Sequence, residues 1–194
     1  MDSGATVDCT PTVLMQFAIM GNLYAREVLG VKSPRVGLLS NGTEEGKGNR
    51  QVQEAYELIK GVGGINFIGN VEGTDVFAGK AEVVVTDGFT GNVLLKTTEG
   101  VIKFMMGALK GVFYKTTVNK LAAAVLKSDL KEMKKSMDVN EVGGTALIGI
   151  SKPVIKAHGS SNADSLFAAV RQAVAFVDSG LIGDINDNIE YMKI

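Results

Sequence analysis

The feature that most constrains the fold is a pattern that recurs along the chain: a short apolar run, then a loop of small and hydroxyl residues, then the start of a helix. The loops cover residues 41–49, 87–92 and 158–162. Strands that alternate with helices are typical of a largely parallel sheet covered by helices. We therefore predict an α/β fold, built as a single domain over residues 1–194.

Apolar runs and local capping signals predict the strands and the first two helices. The runs predict strands at residues 35–40, 65–69 and 81–86, and two further strands at 145–150 and 154–157. Thr10 is expected to cap a helix that starts with Pro11 and ends before Gly30. A second helix follows the loop 41–49 and should stop at Gly61.

Helical spacing of apolar residues predicts the remaining helices at residues 92–112, 118–137 and 166–177. Thr90 or Asn92 is expected to cap the first of these. Ser161 and Asp164 have the spacing of a capping box for the last one.

Composition excludes several classes of protein. The net charge of -1 argues against nucleic acid as the main partner. A single cysteine, Cys9, and a single histidine, His158, exclude a disulfide framework and the usual zinc ligand set. The sequence contains no nucleophile elbow, no dinucleotide fingerprint, no signal peptide and no long apolar run, so we expect a cytoplasmic enzyme without a cofactor.

Positive charge is concentrated in residues 101–137, which hold eight lysines against Asp129 and Glu132 and so carry 8 - 2 = +6. The rest of the chain therefore carries -1 - 6 = -7. The same residues form an amphipathic segment, which we expect to project from the domain as a helical pair. Its candidate binding residues are Lys110, Phe113, Lys115, Lys120 and Lys127.

The loops are the best candidates for a ligand site. Ligands of open α/β sheets collect at the carboxyl ends of the strands, where the first turn of a helix offers unpaired N–H groups to an anion. We expect the loops to converge on one anion site, although Lys47 could be a solvated lysine, Thr90 or Asn92 a cap, and His158 a structural residue. The candidate residues are Gly46, Lys47, Gly48, Asn49, Asp87, Thr90, Gly91, Asn92, His158, Gly159, Ser160 and Ser161.

Together, five stretches resemble the bacterial phosphate acyltransferase family of phospholipid synthesis: residues 2–9, 16–21, 66–73, 87–93 and 157–161. The Thr90-Gly91-Asn92 element also resembles the phosphotransacetylases. The resemblance implies a fold like that of isocitrate and isopropylmalate dehydrogenases. Members of the family begin with a further segment that opens on Asp-Ala-Met-Gly-Gly-Asp, so this chain is expected to be the C-terminal part.

The resemblance also implies the reaction: transfer of a fatty acyl group from acyl-acyl carrier protein to inorganic phosphate. It supports Lys47, Asn92 and His158 as catalytic positions. We expect Lys47 to neutralise phosphate, N–H groups around Thr90–Asn92 and 160–162 to bind the anion, and His158 to protonate the leaving thiolate. Implied partners are acyl carrier protein, phosphate, a second copy of the chain, the membrane surface and a membrane glycerol-phosphate acyltransferase.

Alternative functions stay open at this point. A phosphotransacetylase-like enzyme would act on a short acyl-CoA. A dehydrogenase of the isocitrate type would need clustered aspartates for a divalent metal, for which Asp87 is the only candidate. A non-enzymatic membrane scaffold would use the segment 101–137, which could instead bind acyl carrier protein or pack on the core or on a second copy.

Overall fold

The structure, a computed structural model, describes residues 1–136, 144–157 and 161–187. Within these residues a parallel sheet has the strand order β2-β1-β3, which confirms the predicted α/β class. The strands are β1 at Arg35–Leu39, β2 at Asn66–Val71 and β3 at Val83–Val85, while β4 at Thr145–Leu147 pairs with β5 at Val154–Lys156. The helices are α1 at Pro11–Glu27, α2 at Arg50–Lys60, α3 at Gly73–Phe77, α4 at Gly88–Tyr114, α5 at Thr117–Val125, α6 at Lys127–Ser136, α7 at Ala163–Asp178 and α8 at Leu181–Asp187.

The core lies where α1 and α2 cover the parallel sheet. Val36 and Leu38 of the central strand are fully buried, and each such side chain contributes about 1.5–3 kcal/mol relative to an exposed one. Helix α1 approaches β3 closely, because a Cβ added at Gly21 would lie 2.6 Å from Val83 Cγ1. Thr10 caps this helix as predicted, by accepting a hydrogen bond from Val13 N.

Two predicted strands are shorter in the structure, since the run 81–86 forms only Val83–Val85 and the run 145–150 forms only Thr145–Leu147. Three predictions about the helices are wrong. The helix expected over 118–137 is two helices, because the backbone of Leu126, with φ −84° and ψ 6°, leaves the α-helical region. The capping box of Ser161 and Asp164 does not form: Asn162 Oδ1 accepts from Ser165 N at 2.9 Å and caps α7 instead. The long helix α4 begins before Asn92, for a reason given below.

The chain divides into two compact units. The first contains Met1–Leu94, Ala146–Val154 and Ala173–Ile194, and the second contains Leu95–Thr145 and Ile155–Gln172. Lys47 and Asn92 belong to the first unit, and Ser161 belongs to the second. The single domain and the projection of the segment 101–137 stay predictions.

None of the described helices is by itself long and apolar enough to cross a lipid bilayer. Helices α7 and α8 reach the required length and apolar composition only when they are taken together as a pair bent by 46°.

An ion pair joins the first residue of β1 to the segment before β3. Arg35 Nε donates to both carboxylate oxygens of Glu82, at 3.1 and 3.0 Å, and Arg35 N donates to Glu82 Oε2 at 2.7 Å. These hydrogen bonds, with the side chain of Arg35 as the main cause, lower the pKa of Glu82 from its ordinary 4.5 to about 2.

Glu82→Gln is expected to lower Tm at pH 7. A carboxylate whose pKa is lower in the folded state stabilises the fold above its unfolded pKa, and this contribution is lost as the pH falls through the folded pKa. The difference in Tm between wild type and Glu82→Gln should therefore shrink from pH 4.5 toward pH 2. A difference in Tm that stays constant across this range would contradict the assignment, and Glu132→Gln on α6 serves as the control for removal of a charge.

Candidate functional site

The candidate site is at the edge of the sheet where β1, β2 and β3 end. Because the three strands are parallel, their carboxyl ends face the same way. The loop 41–49 follows β1, the start of α3 follows β2, and Asp87 with the start of α4 follows β3. Two of the three predicted loops therefore leave neighbouring strands at one edge.

The loop 41–49 is held by its own polar groups. Asn41 Oδ1 accepts from Gly48 N at 2.9 Å, and Lys47 N donates to Glu44 O at 3.0 Å. Asn49 was a candidate ligand residue, and in the structure its side chain caps α2 by accepting from Val52 N at 2.9 Å. The backbone that carries Lys47 is therefore well defined.

The ammonium group of Lys47 is available to an anion. The side chain is exposed, and the nearby Glu45 pairs instead with Lys60, at 2.7 Å. In the part of the chain that the structure describes, no carboxylate forms an ion pair with Lys47. A lysine without a carboxylate partner, on an ordered loop at the sheet edge, is suited to binding a phosphate.

The two glycines beside Lys47 differ in whether the loop leaves room for a side chain at their position. Gly48 has a φ of 98°, in the left-handed region, and a Cβ there would lie 2.5 Å from Val52 Cγ1. A Cβ added at Gly46 would meet nothing within 4 Å. Gly48 is therefore needed by the fold of the loop, whereas Gly46 leaves open space beside the backbone.

Gly48→Ala is expected to lower the free energy of unfolding by at least about 1–2 kcal/mol, the usual cost of the left-handed region for an L-residue. Gly46→Ala is the matched control and should leave the free energy of unfolding unchanged within about 0.5 kcal/mol. Urea denaturation of the two variants measures both quantities. Equal losses of stability in the two variants would contradict the steric account of this loop.

Asp87 caps α4, and this corrects the predicted cap. Its carboxylate accepts from Thr90 N at 2.6 Å and from Thr90 Oγ1 at 3.1 Å. The helix consequently begins at Gly88, and neither Thr90 nor Asn92 is its cap. Thr90 and Asn92 are good capping residues, so the sequence favoured the later start, but Asp87 is of the same type and comes first along the chain.

The segment 2–9 wraps around the start of α4. Asp2 accepts hydrogen bonds from the N–H groups of Gly4, Ala5 and Thr6, at 3.0, 2.9 and 2.7 Å. Burial alone would raise the pKa of Asp2, but these backbone donors outweigh it and the pKa is lowered. The carboxylate thus organises a tight turn. Sequence reasoning noted this stretch only for its resemblance and assigned it no place at the site.

The turn packs tightly against α4 and also contacts α2. Thr6 O accepts from Gly88 N at 2.8 Å, and a Cβ at Gly88 would lie 2.6 Å from the same oxygen. The backbone oxygen of Asp2 lies directly against Gly91. Gln51 of α2 donates to Cys9 O. The segment 2–9 therefore connects the helix that follows the loop 41–49 with the helix that follows β3.

The side chain of Asn92 faces this segment. It is exposed, and its Oδ1 lies 3.8 Å from the position of a Cβ added at Gly4. The N–H groups of Gly88, Thr90 and Gly91 already donate to protein oxygens. An anion at the start of α4 would therefore be bound by the amide of Asn92 rather than by those three N–H groups.

The third loop is largely beyond the described residues. His158, Gly159 and Ser160 lie outside them, so their predicted roles stay predictions. Ser161 is described, and its buried Oγ has no hydrogen-bond partner among the described residues. The convergence of this loop with the other two also stays a prediction.

The lysine-rich segment exposes large apolar side chains. On α4 and α5 these are Val101, Phe104, Met105, Val112, Tyr114, Val118, Leu121 and Val125, with Phe104 exposed to 77% and Val125 to 81%. Lys110, Lys115, Lys120 and Lys127 are exposed and Phe113 is half-buried. Lys110 Nζ lies 5.9 Å from the ring centroid of Tyr114. We call these exposed apolar residues together with the four lysines the basic apolar patch.

Comparison with known proteins extends these observations. The family described as "Fatty acid synthesis protein" matches residues 1–183. The chain is 48% identical, over its whole length, to the phosphate acyltransferase of Bacillus subtilis (strain 168), of which it covers 58%. It is 50% identical to the phosphate acyltransferase of Geobacillus sp. (strain WCH70), over 98% of the chain and 57% of that protein. The chain thus spans little more than half the length of these relatives, and it matches their C-terminal part.

Proposed function

Because the chain belongs to the fatty acid synthesis protein family, we propose that it forms part of a phosphate acyltransferase that moves a fatty acyl group from acyl carrier protein to inorganic phosphate. The observation that carries the proposal is the position of Lys47 and Asn92 after the neighbouring strands β1 and β3, at one sheet edge. Relatives nearly 50% identical to this chain are named for this class of reaction.

The proposed reaction depends more on positioning phosphate than on activating it with a general base. Phosphate is largely a dianion near neutral pH, so its oxygen can attack the thioester carbonyl without a general base. The new C–O bond forms, the C–S bond of the thioester breaks, and the leaving thiolate takes up a proton. Holding phosphate against the thioester carbonyl removes much of the entropic barrier.

Among the described residues, Lys47 and Asn92 are the proposed agents of two of these tasks. Lys47, which has no carboxylate partner among the described residues, would neutralise the charge of phosphate. The amide of Asn92 would donate to a phosphate oxygen or to the oxyanion that develops on the thioester carbonyl. Asp87 and Thr90 would act indirectly by fixing the start of α4. His158 would protonate the thiolate.

The test is release of the carrier-protein thiol by the full-length enzyme. The proposal expects thiol release from acyl-acyl carrier protein only when phosphate is present, and no release when sulfate replaces it. Thiol release that is independent of phosphate would indicate a thioesterase and overturn the proposal. Acetyl-CoA as donor tests the phosphotransacetylase alternative, and thermal shifts with NAD and Mg²⁺ test the dehydrogenase alternative.

We further propose that the enzyme works in the cytoplasm as a homodimer and docks reversibly on the membrane, where its acyl phosphate product would be used by a glycerol-phosphate acyltransferase. The basic apolar patch supports this docking, because it joins exposed apolar side chains of α4 and α5 with four exposed lysines. Apolar area and lysines both favour an anionic lipid surface. A non-enzymatic scaffold would need the same patch but no acyl transfer.

Lys110→Glu combined with Lys120→Glu is expected to weaken binding to phosphatidylglycerol vesicles by more than roughly tenfold, since each lysine near an anionic surface contributes about 1 kcal/mol. Acyl transfer from the soluble donor should persist. Vesicle flotation at low and high salt measures the binding. If transfer is lost while vesicle binding is intact, the patch binds acyl carrier protein and the docking proposal is wrong.

A further inference from the structure

We infer that Asn70 is a positioning residue of the phosphate site, which holds the loop of Lys47 in place through its side-chain amide. This inference rests on the proposed function for its kinetic part only. Asn70 is the fifth residue of β2 and is only 4% exposed. Asn70 lies in the stretch 66–73 that carries part of the resemblance, but the resemblance gave it no role. The loop pattern did not mark it, because it lies inside a strand rather than in one of the loops.

A bulge in β2 presents this side chain to the loop. Val36 of β1 pairs with Phe67, but Leu38 pairs with Asn70, so β2 has one more residue than β1 between these pairs. The extra residue is accommodated at Gly69, whose φ of 84° lies in the left-handed region. Bulges of this kind reorient a side chain and are over-represented next to active sites.

The reoriented amide bonds directly to the loop. Asn70 Nδ2 donates to Glu44 O at 2.8 Å, and the next hydrogen bond along the loop joins Glu44 O to Lys47 N at 3.0 Å. The oxygen of Glu44 is thus shared between the sheet and the residue that carries the ammonium group. Release of the Asn70 amide should therefore loosen the backbone of Lys47.

The other half of the amide supports a role beyond packing. Asn70 Oδ1 is buried and has no donor among the described residues. A buried acceptor without a partner lowers stability, so each such group in a folded protein calls for an explanation. The bond from Nδ2 to Glu44 O fixes which way the amide is turned, so the structure keeps this bond to the loop although it leaves Oδ1 without a partner among the described residues.

The test is a double-mutant cycle in the full-length enzyme, with kcat/KM for phosphate as the readout. Asn70→Ala should lower kcat/KM for phosphate by roughly 3- to 10-fold, the range for loss of one neutral hydrogen bond. In a Lys47→Ala background, Asn70→Ala should change kcat/KM for phosphate by less than about twofold, because Asn70 acts only by positioning Lys47. Effects of Asn70→Ala that are the same in both backgrounds would overturn the inference.

Asn66→Ala is the matched control, since Asn66 lies on the same strand but is exposed at its other end. It should leave kcat/KM unchanged. Asn70→Ser, which keeps a small polar side chain but lacks the Nδ2 donor, replaces Asn70→Ala if the alanine variant does not fold.

Hydrogen exchange of the loop 41–49 tests the positioning without relying on activity. Faster exchange of Lys47 N–H in the Asn70 variant, with unchanged exchange in β1, is the expected result. Unchanged protection of this amide would overturn the inference even in an active enzyme. If instead the wild-type enzyme makes no acyl phosphate, the proposed function fails, while faster loop exchange would still support the positioning role of Asn70.

Discussion

Lys47→Ala in the full-length enzyme should lower kcat/KM for phosphate by roughly 10- to 100-fold. A hydrogen bond to a charged group contributes about 1.5–3 kcal/mol, and each 1.36 kcal/mol is a factor of ten in rate. If the contact of Lys47 with phosphate is equally strong in the ground and transition states, the loss should appear mainly as a higher KM for phosphate. If the contact strengthens during the reaction, the loss should appear in kcat. Steady-state kinetics with varied phosphate separates the two.

The same substitution should leave the fold intact. Lys47 is exposed and forms no ion pair with the described carboxylates, so its removal should change the free energy of unfolding by no more than about 0.5 kcal/mol. Lys32→Ala removes another exposed lysine ahead of β1 and serves as the control for net charge. Kinetics of Lys47→Ala that match those of Lys32→Ala would remove Lys47 from the site.

Asn92→Asp is expected to have the largest effect of any single substitution, a fall in kcat/KM of roughly 100-fold or more. The change keeps the shape of the side chain but replaces an N–H donor by a negative charge, and like charges close together in a site cost several kcal/mol. The fold should tolerate it, because a carboxylate near the start of a helix is favourable or neutral. Asn92 is also exposed and is not the cap of α4.

Comparison with other variants separates charge from loss of the donor. Asn92→Ala should lower kcat/KM less than Asn92→Asp does, and Thr97→Asp should add the same charge further along α4 with little effect. Tm and the folded fraction are measured alongside the kinetics. A fall in activity that merely follows a fall in the folded fraction would make Asn92 a structural residue and contradict its place at the site.

Elements with strong local signals could be predicted from the sequence. The Thr10-Pro11 pair predicted the start of α1, and Gly61 predicted the end of α2, because caps depend on residues that are neighbours in the chain. The buried run of β1 was recognised for the same reason. In each case the deciding interactions lie within a few residues, so the sequence contains them directly.

The start of α4 and the short helices show the limit of local signals. Asp87, Thr90 and Asn92 are all good capping residues, and only the structure shows that the carboxylate of Asp87 takes the N–H of Thr90. Helix α3 at Gly73–Phe77 is too short to show a helical period. The break at Leu126 contains neither glycine nor proline, so a continuous helix was the natural expectation there.

The parts of the site that could not be predicted depend on residues far apart in the sequence. The hydrogen bond from Asn70 to Glu44 and the packing of segment 2–9 on Gly88 and Gly91 bring distant stretches together. A sequence pattern can indicate that a loop binds an anion, but it does not show which remote side chain holds that loop. The candidate ligands Lys47 and Asn92 therefore came from the sequence, and their supports came from the structure.

In the proposed reaction an oxygen of phosphate becomes bonded to the acyl carbon. Mass spectrometry of the full-length enzyme's products, with acyl-acyl carrier protein and ¹⁸O-labelled phosphate as substrates, measures this directly. The predicted result is an acyl phosphate that retains all of the label from phosphate, with its formation strongly reduced in Lys47→Ala and Asn92→Asp. Formation of unlabelled free fatty acid as the first product would contradict acyl transfer to phosphate. Formation of labelled acyl phosphate at the wild-type rate in both variants would contradict the roles of Lys47 and Asn92.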